Sequence, residues 1–387
     1  MELASNQPSY CGFEQGPIRP PAEARSLLLR VTRNCPWNRC TFCPLYKGQK
    51  FSKRPMEHIE RDIETVFGFT ESLREACAGG EVGLGLRLKE LARRVHPEEM
   101  GAFQAAYHWF SSGMESVFLQ DADSLFIGAG PMTAILKLLR ERFPSIVRIT
   151  SFARSSTIGR WSDEELGEVA ASGLNRVHVG LESGSNELLQ LVKKGCTKED
   201  HVRAGLRIKE AGIELSECIL FGLGGKSRYR EHALETAAAI NQIDPHIIRC
   251  LTLASRDDMH LFKGLPKDDF VPLGDLGIAR EMKLFLENLG SIGTFIESDN
   301  ALNLLQEVKG TMPHDQDKMI RALTRFIELM PETRAQFQVG KRLGIFSRLT
   351  DLEDPGKRAA AAGVCLENGI TSDNVDQVIA SLVQRYI

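Results

Sequence analysis

Short runs rich in leucine and β-branched residues recur along the first two thirds of the chain, and helical stretches separate them. The runs lie at 26–32 (SLLLRVT), 115–120 (ESVFLQ), 146–153 (IVRITSFA), 175–180 (NRVHVG), 214–221 (ELSECILF) and 246–253 (HIIRCLTL). Each is too short for a core helix and reads as a strand. Helices are expected at about 55–75, 131–142, 162–171, 186–211 and 229–241, the first opened by Pro55 at a favourable first position. Strands joined by single helices form βαβ units and hence a parallel sheet. Six strands in that rhythm, which stops near Ala254, predict an α/β fold built on a partial (β/α)6 TIM-type barrel rather than a full eight-fold one.

Two stretches fall outside the rhythm. Between the first helix and the second strand, where a short connection would serve, residues 78–112 read as an inserted helical pair. Beyond residue 256 the pattern turns mostly helical, with Gly, Pro and Asp punctuation at 264–275 and 351–356. The expected organisation is an N-terminal extension at 1–24, a core at 25–256 carrying the insertion, and a mostly helical C-terminal region at 257–387.

Charge narrows the partners. With 48 basic against 51 acidic side chains the net charge is −3, which gives no footprint for bulk binding to nucleic acid or an anionic membrane. A small basic pocket remains compatible with it. No run of 18 apolar residues is present, and the first 24 residues lack the basic and apolar regions of a secretory signal, so the expected location is the cytoplasm.

In a reducing compartment nine cysteines do not suggest a disulfide framework. Cys11, Cys77, Cys196, Cys218, Cys250 and Cys365 stand singly and read as small buried hydrophobes. Cys35, Cys40 and Cys43 crowd into nine residues (CPWNRCTFC). Pro36 and Pro44 keep that segment out of a regular helix, so the thiols sit on a loop after the first strand. Crowded thiols call for a metal. A four-iron cubane normally takes four cysteines, so three leave one iron open. An amine and carboxylate chelate, such as the methionine end of S-adenosylmethionine, would fill that position. Spacing also allows a structural zinc with His58 as the fourth ligand.

Further segments, taken in order, resemble one family. VTRNCPWNRCTFCP, with Phe42 before the third cysteine, resembles the cysteine motif of the radical S-adenosylmethionine (SAM) superfamily, although four residues rather than the usual three separate Cys35 from Cys40. The second strand ends in Gln120-Asp121-Ala122-Asp123, where the family places a Gly-Gly-Glu-like turn that accepts hydrogen bonds from the cofactor amine. VHVGLESGSNELLQLVKKG is similar to the branch containing the oxygen-independent coproporphyrinogen oxidases, elongator-type enzymes and cobalamin-dependent radical enzymes. ECILFGLGG is similar to the family's adenine-contacting strand. The resemblance covers about residues 25–253.

It implies a [4Fe–4S] cluster on Cys35, Cys40 and Cys43, and SAM held by Phe42, Gln120, Asp121, Asp123, Glu182, Ser183, Lys194 and Gly222; Arg154, at the end of the third strand, reads as a cofactor or substrate contact, with a surface ion pair the alternative. Within that set Glu182 would meet the ribose hydroxyls and Lys194 the methionine carboxylate. The implied activity is reductive, oxygen-sensitive cleavage of SAM to a 5′-deoxyadenosyl radical that takes hydrogen from a small molecule. The electron would come from a donor such as flavodoxin or ferredoxin. Two other readings stay open: an RNA- or protein-modifying radical enzyme, and a haem-binding or trafficking protein on the same fold.

Remaining signals divide between structure and function. Gly222-Leu-Gly224-Gly225-Lys226-Ser227 lacks the first glycine of a phosphate loop, and Gly83-Leu-Gly85 follows no strand, so neither reads as a nucleotide site. His178, Glu217 and Arg249 lie on strands, as satisfied structural groups or as substrate contacts inside the barrel. Cys218 and Cys250 read as inert thiols, with hydrogen donation or a second metal the alternatives. Phe103, Tyr107 and Trp109 read as helical core, with a substrate cap the alternative.

Overall fold

A computed structural model describes residues 9–254 and 270–383, which divide into two compact units. The start of the 264–275 punctuation and the 256/257 boundary lie outside the described residues.

The first unit comprises the chain up to Pro36, Gly48–His178 and Arg207–Glu214. It opens with β1 (Leu27–Arg30), β2 (Thr32–Arg33) and β3 (Ser52–Lys53), followed by α1 (Met56–Ala78), α2 (Leu84–Arg94) and α3 (Met100–Ser111). Then come β4 (Ser116–Gln120), α4 (Ala129–Arg142), β5 (Arg148–Ala153), α5 (Ser155–Ile158) and α6 (Asp163–Ala171). β4 is the middle strand of a parallel trio, with Leu27 opposite Val117 and Ser116 opposite Arg148. Four consecutive residues of β4 are buried, because a parallel strand is covered on both faces and needs an unbroken apolar run.

α1 buries Ile59, Ile63, Val66 and Leu73, one face at helical spacing. Each such side chain contributes about 1.5–3 kcal/mol of burial. The expected helical pair within 78–112 is α2 and α3. α3 packs Phe103 edge-on against Phe69 at 5.4 Å and Trp109 against Phe143 at 4.9 Å, so both rings belong to the core rather than to a substrate cap. Ser162 and Glu165 close a capping box that starts α6.

β6 (Arg176–Glu182) carries the chain into the second unit, which comprises Trp37–Lys47, Val179–Leu206 and the chain from Leu215 onward. It continues with α7 (Asn186–Leu191), α8 (Lys198–Glu210), β7 (Glu214–Phe221), α9 (Gly225–Ile243) and β8 (Ile247–Thr252). The sequence leads one to expect a single helix over 186–211, but Lys193 (φ +54°) and Gly195 (φ +77°) are left-handed, and no α-helix continues through two such residues. The break sets Lys194 on a turn.

Beyond α10 (Asp275–Glu287) the strands resume with β9 (Phe295–Glu297) and β10 (Gly310–Thr311). β9 lies parallel to β8, with Ile247 opposite Phe295, and β10 pairs antiparallel to β9. The strand pattern therefore does not stop near Ala254. Three residues are too few to show a period, which is why β9 escapes the sequence reading. The chain then turns helical, with α11 (Gln316–Ile327), α12 (Pro331–Arg342), α13 (Pro355–Glu367) and α14 (Val375–Val383). Both units are thus α/β, with mostly parallel strands among helices, and among the described residues no ladder closes a barrel. No helix among them is long and apolar enough to cross a membrane.

Candidate active site

The cysteine loop follows β2. Cys40 is buried, and Cys35 and Cys43 are partly exposed. From Trp37 onward the loop belongs to the second unit, where backbone groups pin it down. The Trp37 Nε1–H donates to the Lys193 carbonyl at 2.7 Å, and the Thr41 N–H donates to the Val192 carbonyl at 3.0 Å. Asn38 and Lys47 brace the loop internally, through Asn38 Nδ2 to the Tyr46 carbonyl and Lys47 Nζ to the Asn38 carbonyl.

Gly195 is required in this docking: a Cβ there would overlap the Trp37 indole, and its φ of +77° is itself a glycine conformation. The longer spacer between Cys35 and Cys40 thus supplies an anchor, Trp37. Phe42 packs against Val192, Leu220, Leu223 and Phe270, and its ring centroid lies 6.0 Å from the Lys194 ammonium. Three soft thiols on one short, anchored loop have the chemistry of iron–sulfur ligands, although among the described residues no group of three His, Cys, Asp or Glu side chains is gathered closely enough to hold a metal ion. His58, the zinc alternative's fourth ligand, packs its ring edge-on against Tyr10 at 5.3 Å.

Glu182 and Lys194 meet in the second unit. Lys194 Nζ donates to Glu182 Oε1 at 3.0 Å, with the side chains 8% and 13% exposed, so the pair is close to buried. Gly180 makes the meeting possible, because on a strand it shares a face with Glu182 and a Cβ would collide with both charged ends. Glu182 has a left-handed backbone (φ +62°), as does Gly222 (φ +91°) just past β7. The Ser183 hydroxyl is turned inward and accepts from the Ser185 N–H at 3.0 Å. Ser185 in turn caps α7 by accepting from the Leu188 N–H, and the Gly184 N–H donates to Thr236 Oγ1 at 2.9 Å.

The first unit holds the other expected residues, each engaged by protein groups. Gln120 accepts from the Gly16 N–H at 2.8 Å and donates to the Ile18 carbonyl, so its amide binds the N-terminal extension. Asp121 accepts from Arg30 Nη2 at 2.8 Å and from the Asn34 N–H at 3.1 Å, anchoring the residue before Cys35. Asp123 accepts from Thr157 Oγ1 at 2.6 Å and from the Arg154 N–H at 3.3 Å, and burial pushes its carboxyl up to about 6. The structure thus brings Gln120, Asp121, Asp123 and Arg154 to the ends of β4 and β5. It brings Phe42, Glu182, Ser183, Lys194 and Gly222 together in the second unit.

The remaining strand polars separate by partner. Arg249 pairs with Glu297 at 3.1 Å and Asp299 at 3.4 Å. His178 Nε2 lies 3.8 Å from Glu23. Cys218 and Cys250 are buried on adjacent strands, and burial pushes the Cys218 thiol up to about 12 and Cys250 higher still, so neither is a ready thiolate.

Glu217 differs. It is fully buried, and neither oxygen makes a hydrogen bond of good geometry among the described residues. Burial raises its pKa well above the ordinary range; Lys194 and the Leu181 amide counter this only in part, and Glu182 adds to it. Folding therefore favours the neutral acid. That stability is complete below the unfolded pKa of about 4.3 and is lost as pH rises toward the folded value, at about 1.4 kcal/mol per pH unit. Urea unfolding from about pH 5 to 7 should lose stability more steeply in the native protein than in Glu217→Gln, by about 1.4 kcal/mol per pH unit, the remaining slope coming from groups such as Asp123; equal slopes would contradict the assignment.

Sequence reasoning missed the anchoring role of Trp37 and the pair His232–Glu281, which supports two of these strand ends. A tryptophan inside a metal-binding spacer was the available signal for the first. For the second there was none, since the partners stand 49 residues apart on separate helices.

Comparison with known proteins agrees with the resemblance read from the motifs. The model of the radical SAM superfamily matches residues 29–240. A tRNA uridine(34) acetyltransferase of Methanocaldococcus infernus is 24% identical over 215 residues, covering 50% of this chain and 36% of that protein. The heme chaperone HemW of Bacillus subtilis is 26% identical over 131 residues, covering 31% of this chain and 35% of that protein. Among solved structures, the coproporphyrinogen III oxidase HemN of Escherichia coli aligns with a TM-score of 0.41 at 14% identity, covering 64% of this chain and 49% of that one. The chain spans about a third of the length of the curated relatives it matches.

Proposed function

The chain belongs to the radical SAM superfamily, whose cofactors are a [4Fe–4S] cluster and SAM, and from that membership we propose that Cys35, Cys40 and Cys43 ligate three irons while SAM takes the fourth. When bound and reduced, the cluster supplies the electron that splits SAM into methionine and a 5′-deoxyadenosyl radical, which takes hydrogen from the substrate. The observation that carries this reading is the docking of the cysteine loop, through Trp37 and Thr41, on the turn Val192–Gly195 that bears Lys194.

The chain's own residues then have separable tasks. Lys194 binds the methionine carboxylate and Glu182 the ribose hydroxyls. Before SAM arrives each neutralises the other, so neither charge is stranded in a low-dielectric site. Binding exchanges those partners. Phe42 presents its ring to the Lys194 ammonium at 6.0 Å, and Gly222 permits close approach of the adenine. Asp121 and Asp123 act through the backbone, fixing Asn34 ahead of Cys35 and Arg154 at the end of β5; Gln120 ties the N-terminal extension to β4. An external donor such as flavodoxin or ferredoxin supplies the electron, in the cytoplasm.

We favour a small-molecule substrate, consistent with a net charge of −3. A tRNA substrate is the second reading, favoured by the archaeal relatives named for tRNA modification. Anaerobic loading, reduction and measurement of 5′-deoxyadenosine tests the proposal, with tRNA and small-molecule extracts as separate additions. Deoxyadenosine formed above the unreduced control supports it, and the addition that stimulates formation selects the substrate class. Stoichiometric haem binding with no deoxyadenosine would replace it with the carrier reading.

A further inference from the structure

Two strand ends in the second unit share one buried support. His232, on α9, is fully buried, and its Nε2 lies 3.0 Å from the backbone carbonyl of Glu182 at the end of β6. Its Nδ1 lies 2.7 Å from Glu281 Oε1 on α10. The other oxygen of Glu281 accepts from the Gly222 N–H at 2.6 Å, one residue past β7. A carbonyl only accepts, so Nε2 carries a hydrogen. The close approach of Nδ1 to a carboxyl then requires a second proton between them. Burial opposes an imidazolium here, and the Glu281 carboxylate overrides it, raising the His232 pKa. Phe221 closes the pair off, its ring edge-on to His232 at 6.3 Å and to Phe285 at 5.5 Å.

What this pair holds is unusual backbone. Glu182 is left-handed at φ +62°, a conformation that costs a residue with a Cβ on the order of 1–3 kcal/mol and persists only where the surroundings over-determine it. The direction of the Glu182 carboxylate, and so its meeting with Lys194, depends on that conformation. Gly222 is left-handed as well, and Glu281 binds its amide directly.

We propose that His232 and Glu281 are positioning residues that hold the backbones of Glu182 and Gly222 in the arrangement that receives the nucleoside of SAM, an inference that rests on the function proposed above. Neither side chain touches the cofactor. Each acts through a backbone group, and α10 brings the part of the chain beyond residue 270 into support of the site.

Two substitutions at one position separate the contacts. The amide of His232→Asn reaches the place of Nδ1 and keeps Glu281 while losing the Glu182 carbonyl; that of His232→Gln reaches the place of Nε2 and keeps the carbonyl. The Asn variant should raise the KM for SAM about tenfold, with kcat within about twofold and the Gln variant within about threefold of native KM, since a tenfold change corresponds to the loss of roughly one hydrogen bond. Amide exchange at residues 182–185, measured without cofactor, should quicken in Asn and not in Gln. The electron paramagnetic resonance of the reduced cluster before SAM is added should be unchanged in both.

Should the Asn variant not accumulate, Glu281→Gln and Glu281→Leu serve instead. Gln keeps both contacts and should leave KM within about threefold of native, whereas Leu should raise it about tenfold. Variants that leave KM and exchange unaltered, in a native protein that binds and cleaves SAM, overturn this inference and leave the functional reading standing. A native protein that neither binds nor cleaves SAM removes the functional reading and this inference with it.

Discussion

Replacing any one of Cys35, Cys40 or Cys43 with alanine is expected to remove nearly all cluster iron from the anaerobically reconstituted protein, from about four irons per chain to below about one. On the proposed reading the three thiols are the ligands this loop provides, and a site that leaves one iron without a protein sulfur has no reserve. The bare chain should tolerate the change: Cys35 and Cys43 are partly exposed, and Trp37, Asn38, Thr41 and Lys47 tether the loop through hydrogen bonds that alanine at a cysteine leaves in place. Thermal midpoints of the cluster-free variants should therefore stay near that of the cluster-free native protein, while iron content and the absorbance of the cluster collapse. A variant that keeps its full iron would show that the replaced thiol is not a ligand. Alanine at Cys218 or Cys250 is the control, since both are buried thiols outside the loop and should leave the iron in place.

Lys194→Met should have the second-largest effect, in two separable parts. Removing the ammonium leaves Glu182 13% exposed beside the buried Glu217, a carboxylate without its counter-charge. Breaking a buried pair in this way costs about 3–5 kcal/mol, and the residual exposure of Glu182 places the expected loss near about 3 kcal/mol. The double substitution Glu182→Gln with Lys194→Met should recover most of that stability, because no charge then remains unpaired. It should not recover SAM binding, which loses the cation proposed to meet the methionine carboxylate and should weaken by about a hundredfold. Chemical denaturation of the single and double variants reads the first part, and SAM titration reads the second. Full stability in the single variant would contradict the pairing, and native SAM affinity in the double variant would contradict the assigned role of Lys194.

The parts of this molecule legible in its sequence are those where one short segment carries the whole signal. β7 spans residues 214–221 both in the sequence reading and in the structure, because its second half, CILF, is a continuous apolar run that a strand covered on both faces requires; Ser216 and Glu217 are the buried exceptions. The thiol loop is legible because its chemistry sits within nine residues. Legibility fails where the cause is distant. The Gln120 amide looks like a ligand group at a strand end, but its partners, Gly16 and Ile18, lie more than a hundred residues earlier in the chain. His232 and Glu281 stand on two helices whose patterns are satisfied without them. The break at Lys193–Gly195 was hidden by amphipathic sequence on either side, although Gly195 stood in plain view. β9 was hidden by its three-residue length.

The central claim is that one iron, lacking a sulfur from the chain, takes SAM and passes it an electron. Its most direct measurement is 5′-deoxyadenosine released per cluster by the reduced, anoxically loaded native protein, run beside the Cys40→Ala variant. The account predicts deoxyadenosine and methionine in equal amounts from the native protein and neither from the variant. Equal release from both, or none from a native protein carrying its full iron, would contradict it.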